Sequence, residues 1–142
     1  MDWTLEVVVL PVSDIDRAIA FYRDQVGFHL DHDTTNEFMH VVQLTPTGSG
    51  CSIVFGDLPS QNEMAPGSMR ALQLVVSDAA AGRAELVGRG VECSELMSFG
   101  DQDGSTFFGF GDPDGNTWSV QELRVRADKP LIPLDARGRF GA

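Results

Sequence analysis

The sequence predicts an α+β protein of two tandem βαβββ modules, and three observations carry that expectation. The first is a repeat. Val7-Val8-Val9-Leu10-Pro11-Val12-Ser13-Asp14, an apolar run ending in a helix cap, returns sixty-four residues later as Ala71-Leu72-Gln73-Leu74-Val75-Val76-Ser77-Asp78. The second is that each copy later reaches a Pro-x-Gly turn feeding another strand, Pro46-Thr47-Gly48 and Pro113-Asp114-Gly115. The third is the order of periodicities between these landmarks, which in each half runs strand, helix, then three strands. An internal repeat of this kind means two similar modules packed together, with function between or beneath them. The boundaries drawn are 1–56 for the first module, 57–68 for a linker, 69–123 for the second module and 124–142 for a tail.

Residues 5–12 are β-branched and apolar, as in a buried strand. Ser13, three residues before Asp16, makes a weak capping box for the first helix. That helix carries Ile15, Ala18, Ile19, Tyr22 and Val26 along one stripe and stops at Gly27. Phe28 and Leu30 then alternate with His29 and Asp31, and residues 38–44 and 51–55 make two more strands. The loop up to Ser68 is rich in turn and polar residues. The second module repeats the order: strand 70–76, a helix ending near Gly88 or Gly90 and weakened by Gly82, strand 91–95, loop 98–105, strand 106–110, and strand 117–123. The tail contains Pro130 and Pro133 and shows no periodicity, although Leu131, Ile132, Leu134 and Phe140 favour docking.

Bulk properties narrow the function. A chain of 142 residues buries about 70% of its unfolded surface, enough to fold without staples. No apolar stretch approaches the ~20 residues of a membrane span, and no leader pattern precedes the first strand. Cys51 and Cys93 have no paired spacing, so neither a disulfide framework nor a zinc site is expected, and a cytoplasmic location is the expectation. The net charge is −11, with 5 Lys+Arg against 19 Asp+Glu in residues 1–123 and 5 against 2 in residues 124–142. So acidic a body repels phosphate backbones, which argues against nucleic acid, and can attract a cationic small molecule.

The doubled module, with Val12-Ser13-Asp14-Ile15-Asp16-Arg17-Ala18 leading to Phe21-Tyr22 and Asp112-Pro113-Asp114-Gly115-Asn116 late in the chain, resembles the vicinal oxygen chelate superfamily of glyoxalases, extradiol dioxygenases and bleomycin-type resistance proteins. The resemblance spans about residues 5–123 and implies curved sheets around a cleft. It also implies metal ligands on the first and last strand of each module, which here fall on Val7, Ser52, Ala71 and Ser119. Transition metals want imidazole, carboxylate or thiolate donors, so no divalent metal and no other cofactor is expected. Gln73 and Gln121, two residues further along their strands, share those faces if the register slips.

What remains is a cleft face of small, apolar and hydrogen-bonding side chains, the usual lining of an organic-ligand site. The expected ligand-binding residues are Val7, Val9, Ser52, Ala71, Gln73, Phe108, Ser119 and Gln121, with Phe107 and Phe110 nearby. His40 is the candidate general base, although the sequence leaves open which face of strand 38–44 meets the cleft. Alternation groups His29, Asp31 and Asp33 on one face and His32 on the other, read as a solvated strand end. Cys51, Cys93 and Tyr22 read as core, Glu122 points away from the cleft, and loop 99–105 offers Asp101 or Asp103 to a cation. These residues predict a metal-free protein that binds a hydrophobic or cationic organic compound, and the resemblance adds a homodimer. The alternatives are a metal-independent isomerase or lyase using His40, and a glyoxalase- or dioxygenase-like metalloenzyme with displaced ligands.

Overall fold

A computed structural model describes residues 1–133. The chain forms two four-stranded sheets of the same topology, ordered β1-β4-β3-β2 and β5-β8-β7-β6. In the first sheet β1 is Val7–Val9, β2 His29–Thr35, β3 His40–Thr45 and β4 Ser52–Gly56. In the second β5 is Leu72–Val76, β6 Met97–Ser98, β7 Thr106–Gly111 and β8 Thr117–Glu122. The first strand of each sheet runs parallel to the last, and all other pairs are antiparallel. The α+β class with doubled βαβββ modules is therefore the observed architecture.

The helices start one residue later than the capping box implied. Asp14 and Asp78 are the caps, accepting from the Arg17 and Ala81 backbone N–H groups at 3.0 Å. Ser13 is turned outward instead, and its hydroxyl donates to Asp114 of the other module. Helix α1 (Ile15–Ile19) continues as a π-helical segment, Ala20–Val26, and ends at Gly27 with φ +93°. The Arg89 guanidinium, from the end of α3 (Ala79–Gly88), donates to the Gln25 and Val26 carbonyls left open there. The linker holds a short helix, α2 (Pro59–Asn62). The strand expected at 91–95 reduces to one bridge, Cys93 opposite Phe110. Met97–Ser98, at the start of the expected loop, supplies the edge strand instead.

One apolar core runs through both modules, from Leu10, Ile19, Leu44 and Phe55 in the first to Leu86, Phe108, Trp118 and Val120 in the second. A buried polar knot crosses it. The Tyr22 hydroxyl donates to Asp112 at 2.7 Å and accepts from the Trp118 indole N–H at 2.9 Å. Burial, reinforced by Asp112, holds the Tyr22 phenol far above its ordinary pKa. Asn116 donates to both Asp112 and the Pro11 carbonyl, so the Asp112–Asn116 turn fastens the second module to the first. Gly67 is tied to Pro11 by its backbone N–H, and its φ of +79° leaves no room for a Cβ, which would stand 2.0 Å from the Asp114 carbonyl oxygen. The tail makes a 3-10 turn, Arg124–Ala127, and reaches back until Ile132 lies buried against Gly50. Leu134 and Phe140 lie outside the described residues. Among the described residues, no helix is long and apolar enough to cross a membrane.

Candidate small-molecule site

Each sheet has one face against the core and one free of helix, and strand register assigns the side chains. In the first sheet Val42 and Leu44 are fully buried on the core face, so Val41, Gln43 and Thr45 belong to the other. Val7 lies beside Ser52, Val9 beside Val54, and Gln43 opposite Val54. His40 shares the core-side parity of Val42 and Leu44. It sits at the strand end opposite Thr35, 2.5 Å from the Asp33 carboxylate. The candidate base is thus on the wrong side of the sheet for the cleft, and its partner there explains its position in the strand.

A β-bulge between Leu30 and His32 shifts the register of β2. His29 keeps its place opposite Thr45 on the helix-free face, but His32 now faces Gln43, and Asp33 is sent to the core side with His40. The expected grouping of His29, Asp31 and Asp33 therefore breaks after Asp31. The Asp31 carboxylate folds onto the helix-free face. Its Oδ2 accepts from the Thr45 hydroxyl and, at 3.3 Å, from the Gln43 amide. Thr45 has one hydroxyl proton and gives it to Asp31, so in the 2.6 Å contact between Thr45 and Ser52 the serine is the donor. Gln43 also reaches Ser52 at 3.4 Å. Thr45 and Ser52 are both buried, and Asp31 is half-buried.

The second sheet presents different chemistry. Gln73 pairs with Ser119, Val75 with Gln121, and Phe107 with Gln121 across the other edge. Gln73 donates to Gln121 at 2.9 Å, and Gln121 donates to the Gly104 carbonyl. Phe107 meets Phe99 edge-on, ring centroids 6.0 Å apart. Phe108 is a correction: it points to the opposite face and is buried in the core, as is Phe110. Ala71 is a second one. It precedes β5 at φ +55°, its N–H donating to the Thr117 hydroxyl, and Gln73 takes the place beside Ser119. Glu122 does turn away, accepting from the Ala79 N–H.

One cavity adjoins the helix-free face of the second sheet, and another lies on its core side, against α3. The larger, about 330 Å³, lies between Gln73, Val75, the Pro46–Ser49 turn and the tail residues Arg126 and Leu131. The smaller, about 240 Å³, lies between Phe28, Val76, Leu86 and Arg89, with Phe108 in its wall. Of the sequence-predicted residues, Gln73 lines the first and Phe108 the second, and Val7, Val9, Ser52, Ala71, Ser119 and Gln121 line neither. Asp103 is committed to the tail, accepting from the Arg124 and Val125 N–H groups, which hold its carboxyl below the usual range. Cys51 and Cys93 are free and half-buried, their thiols pushed up by desolvation.

The first- and last-strand positions where a metal would bind in a fold of this kind hold Val7 with Ser52 and Gln73 with Ser119. One alkyl group, two hydroxyls and one amide do not suit a zinc, nickel, iron or manganese ion. No three His, Cys, Asp or Glu side chains converge among the described residues.

Doubled βαβββ sheets of this topology, with first- and last-strand positions set at such a site, define a known class of scaffold. The chain belongs to the glyoxalase/bleomycin resistance protein/dioxygenase superfamily, whose family model matches residues 4–120. Among solved structures it is similar to TnmS3, an antibiotic binding protein from Streptomyces sp. CB03234, at 32% identity over 86% of this chain and 97% of that one, with a TM-score of 0.73. A glyoxalase/bleomycin resistance protein from the same Streptomyces is 33% identical over 84% of this chain and all of its own, with a TM-score of 0.71. A superfamily member from Sphaerobacter thermophilus DSM 20745 is 26% identical over 85% of this chain and 98% of that one, again at 0.71. No curated protein matches the chain.

Proposed function

We propose that this protein binds a small organic molecule of the antibiotic or secondary-metabolite kind on its helix-free sheet faces, without a metal ion, and sequesters it. The observation that carries the reading is the chemistry of those faces. Where a metal site would stand, the residues are Val7, Ser52, Gln73 and Ser119, and around them lie Val9, Val41, Val54, Val75 and Phe107 with a few directed amides and hydroxyls. That mixture suits an aromatic or aliphatic ligand oriented by hydrogen bonds. The likeness to TnmS3, itself an antibiotic binding protein, supports the same reading.

The working unit in this reading is a cytoplasmic homodimer. Val7, Val75, Met97 and Phe99 are all at least 40% exposed, an apolar area that a second copy would help to cover. The isomerase or lyase alternative needs a base in the cleft, and His40 lies on the other side of β3 beside Asp33.

Native mass spectrometry of protein purified without chelator or metal-affinity resin tests the proposal, followed by titration with a panel of aromatic and cationic natural products at about 100 μM. The expected result is a metal-free dimer that takes up one or more panel members. A stoichiometric transition metal, or no binding across the panel, overturns it.

A further inference from the structure

We propose that Asp31 is the anchor for a protonated amine on the bound molecule, so that the ligand class is a cationic amphiphile rather than a neutral one. The inference rests on the small-molecule reading above and adds to it a charge and a position. Most of the carboxylates that the fold draws into contacts are already engaged. Asp14, Asp78 and Glu122 cap helices; Asp112 is locked in the core knot; Asp24, Glu85, Glu95, Asp103 and Asp114 meet arginines; Asp33 meets His40. Asp31 differs from all of these.

Its Oδ2 is gripped by Thr45 and Gln43, and Ser52 supports Thr45 from behind, so the carboxylate is oriented by neutral donors that leave its charge in place. Its Oδ1 accepts no hydrogen bond among the described residues. The nearest basic side chain is the His29 imidazole at 3.8 Å, half exposed to water, and no lysine or arginine among the described residues comes within 4 Å. Two donors fixed on one oxygen while the other stays open form an oriented acceptor, and an alkylammonium is the group that matches it. Val9 and Val41, both partly exposed, lie on the same face and offer apolar contact to the carbon skeleton of such a ligand, with Val54 buried between them and Ser52. The bulge in β2 produces the arrangement, because it keeps Asp31 with Thr45 while sending Asp33 to the other side.

The test uses the full chain, labelled with nitrogen-15, and two probes of one shape: 2-phenylethylammonium and 2-phenylethanol. Amide shifts are followed at constant ionic strength in wild type, Asp31→Asn, Thr45→Val and the surface-charge control Asp57→Asn. The expected result is saturable shifts at Asp31, Gln43, Thr45 and Ser52, with the ammonium binding about tenfold tighter than the alcohol. Asp31→Asn removes that preference, Thr45→Val reduces it, and Asp57→Asn keeps it. Equal affinity for the two probes overturns the inference and leaves the small-molecule reading standing. So does a preference that survives Asp31→Asn or falls equally in Asp57→Asn, since either makes the effect one of overall charge. If Asp31→Asn does not fold, an unchanged preference in Thr45→Val overturns it. Binding of neither probe overturns it too, and the natural-product panel then decides whether the wider reading falls with it.

Discussion

The substitution Tyr22→Phe removes one oxygen from the contact between the modules and nothing else. The ring stays, with its stacking on Phe28 and its edge contacts to Phe21 and Trp118 at centroid distances of 5.8, 5.0 and 5.8 Å. The loss is a hydroxyl that donates to Asp112 at 2.7 Å and accepts from Trp118 at 2.9 Å, in a side chain with no exposure to water. A hydrogen bond to a carboxylate contributes about 1.5–3 kcal/mol. The lower end applies here, because Asn116 still donates to the same oxygen at 2.8 Å. The buried indole N–H loses its partner, which costs about 1–2 kcal/mol. The sum, about 3 kcal/mol, corresponds to a fall in Tm of roughly 9 °C for a chain of this length. Urea unfolding followed by tryptophan fluorescence, at one fixed protein concentration so that self-association cannot shift the midpoint, measures it. A loss under about 0.5 kcal/mol would refute the reasoning, since it would mean that the Tyr22 hydroxyl adds nothing to the polar link between the modules that Asn116 makes to Pro11.

Two further predictions concern side chains whose faces or partners the structure separates. Phe108→Ala should destabilise the fold by about 3–5 kcal/mol through the cavity it leaves, whereas Phe107→Ala should leave stability nearly unchanged and weaken ligand uptake; unfolding and binding titrations on both variants distinguish them. Asp103, whose carboxyl is held low by the Arg124 and Val125 N–H groups, makes docking of the tail turn pH-dependent. A depressed folded-state value contributes above the ordinary carboxylate range and is lost as pH falls through that lower value. Hydrogen exchange at the Arg124 and Val125 amides, corrected for intrinsic rates, should therefore speed up on acidification and in Asp103→Ala at neutral pH. Exchange that stays slow in Asp103→Ala would place the restraint elsewhere, for example at Ile132.

The fold is legible in the sequence because its determinants are local. The apolar runs at 7–12 and 72–76, the Ser-Asp pairs that open the helices after them and the two Pro-x-Gly turns each act within a few residues, and twice in the same order. Where sequence and structure part, a longer-range effect decides. The cap moves from Ser13 to Asp14 because Ser13 has a partner a hundred residues away in Asp114. Ala71 loses its place to Gln73 because the backbone turns to φ +55° just before β5, a kink that alternation cannot reveal. Phe107 and Phe108 are adjacent and chemically identical, and only the pairing of Phe107 with Gln121 and Phe108 with Val120 tells them apart. Alternation places Asp31 among the other charged residues of β2, at a solvated strand end. The sequence contains one signal for its separate role, the short polar side chains of Thr45 and Ser52 at the ends of two largely apolar strands, but their convergence requires the register of three strands at once.

The two modules agree on one side and differ on the other, and the difference has a physical origin. The core-facing sides must fill a shared interior at close to crystal density, so both sheets supply branched or aromatic side chains there. The helix-free sides carry no such obligation. In the first sheet Ser52 of β4 donates to Thr45 of β3 and through it steadies the Asp31 carboxylate of β2. In the second, Ser119 has Gln73 beside it and the Gln73–Gln121 amide pair next to Phe107 and Val75. A ligand spanning both surfaces would meet fixed negative charge at one end and an amide-edged aromatic surface at the other. A neutral, uniformly apolar compound would leave the Asp31 charge desolvated and unmatched, a cost that a protonated amine avoids. On the proposed reading, discrimination between those two kinds of molecule would come from the first sheet, and contact area from the second.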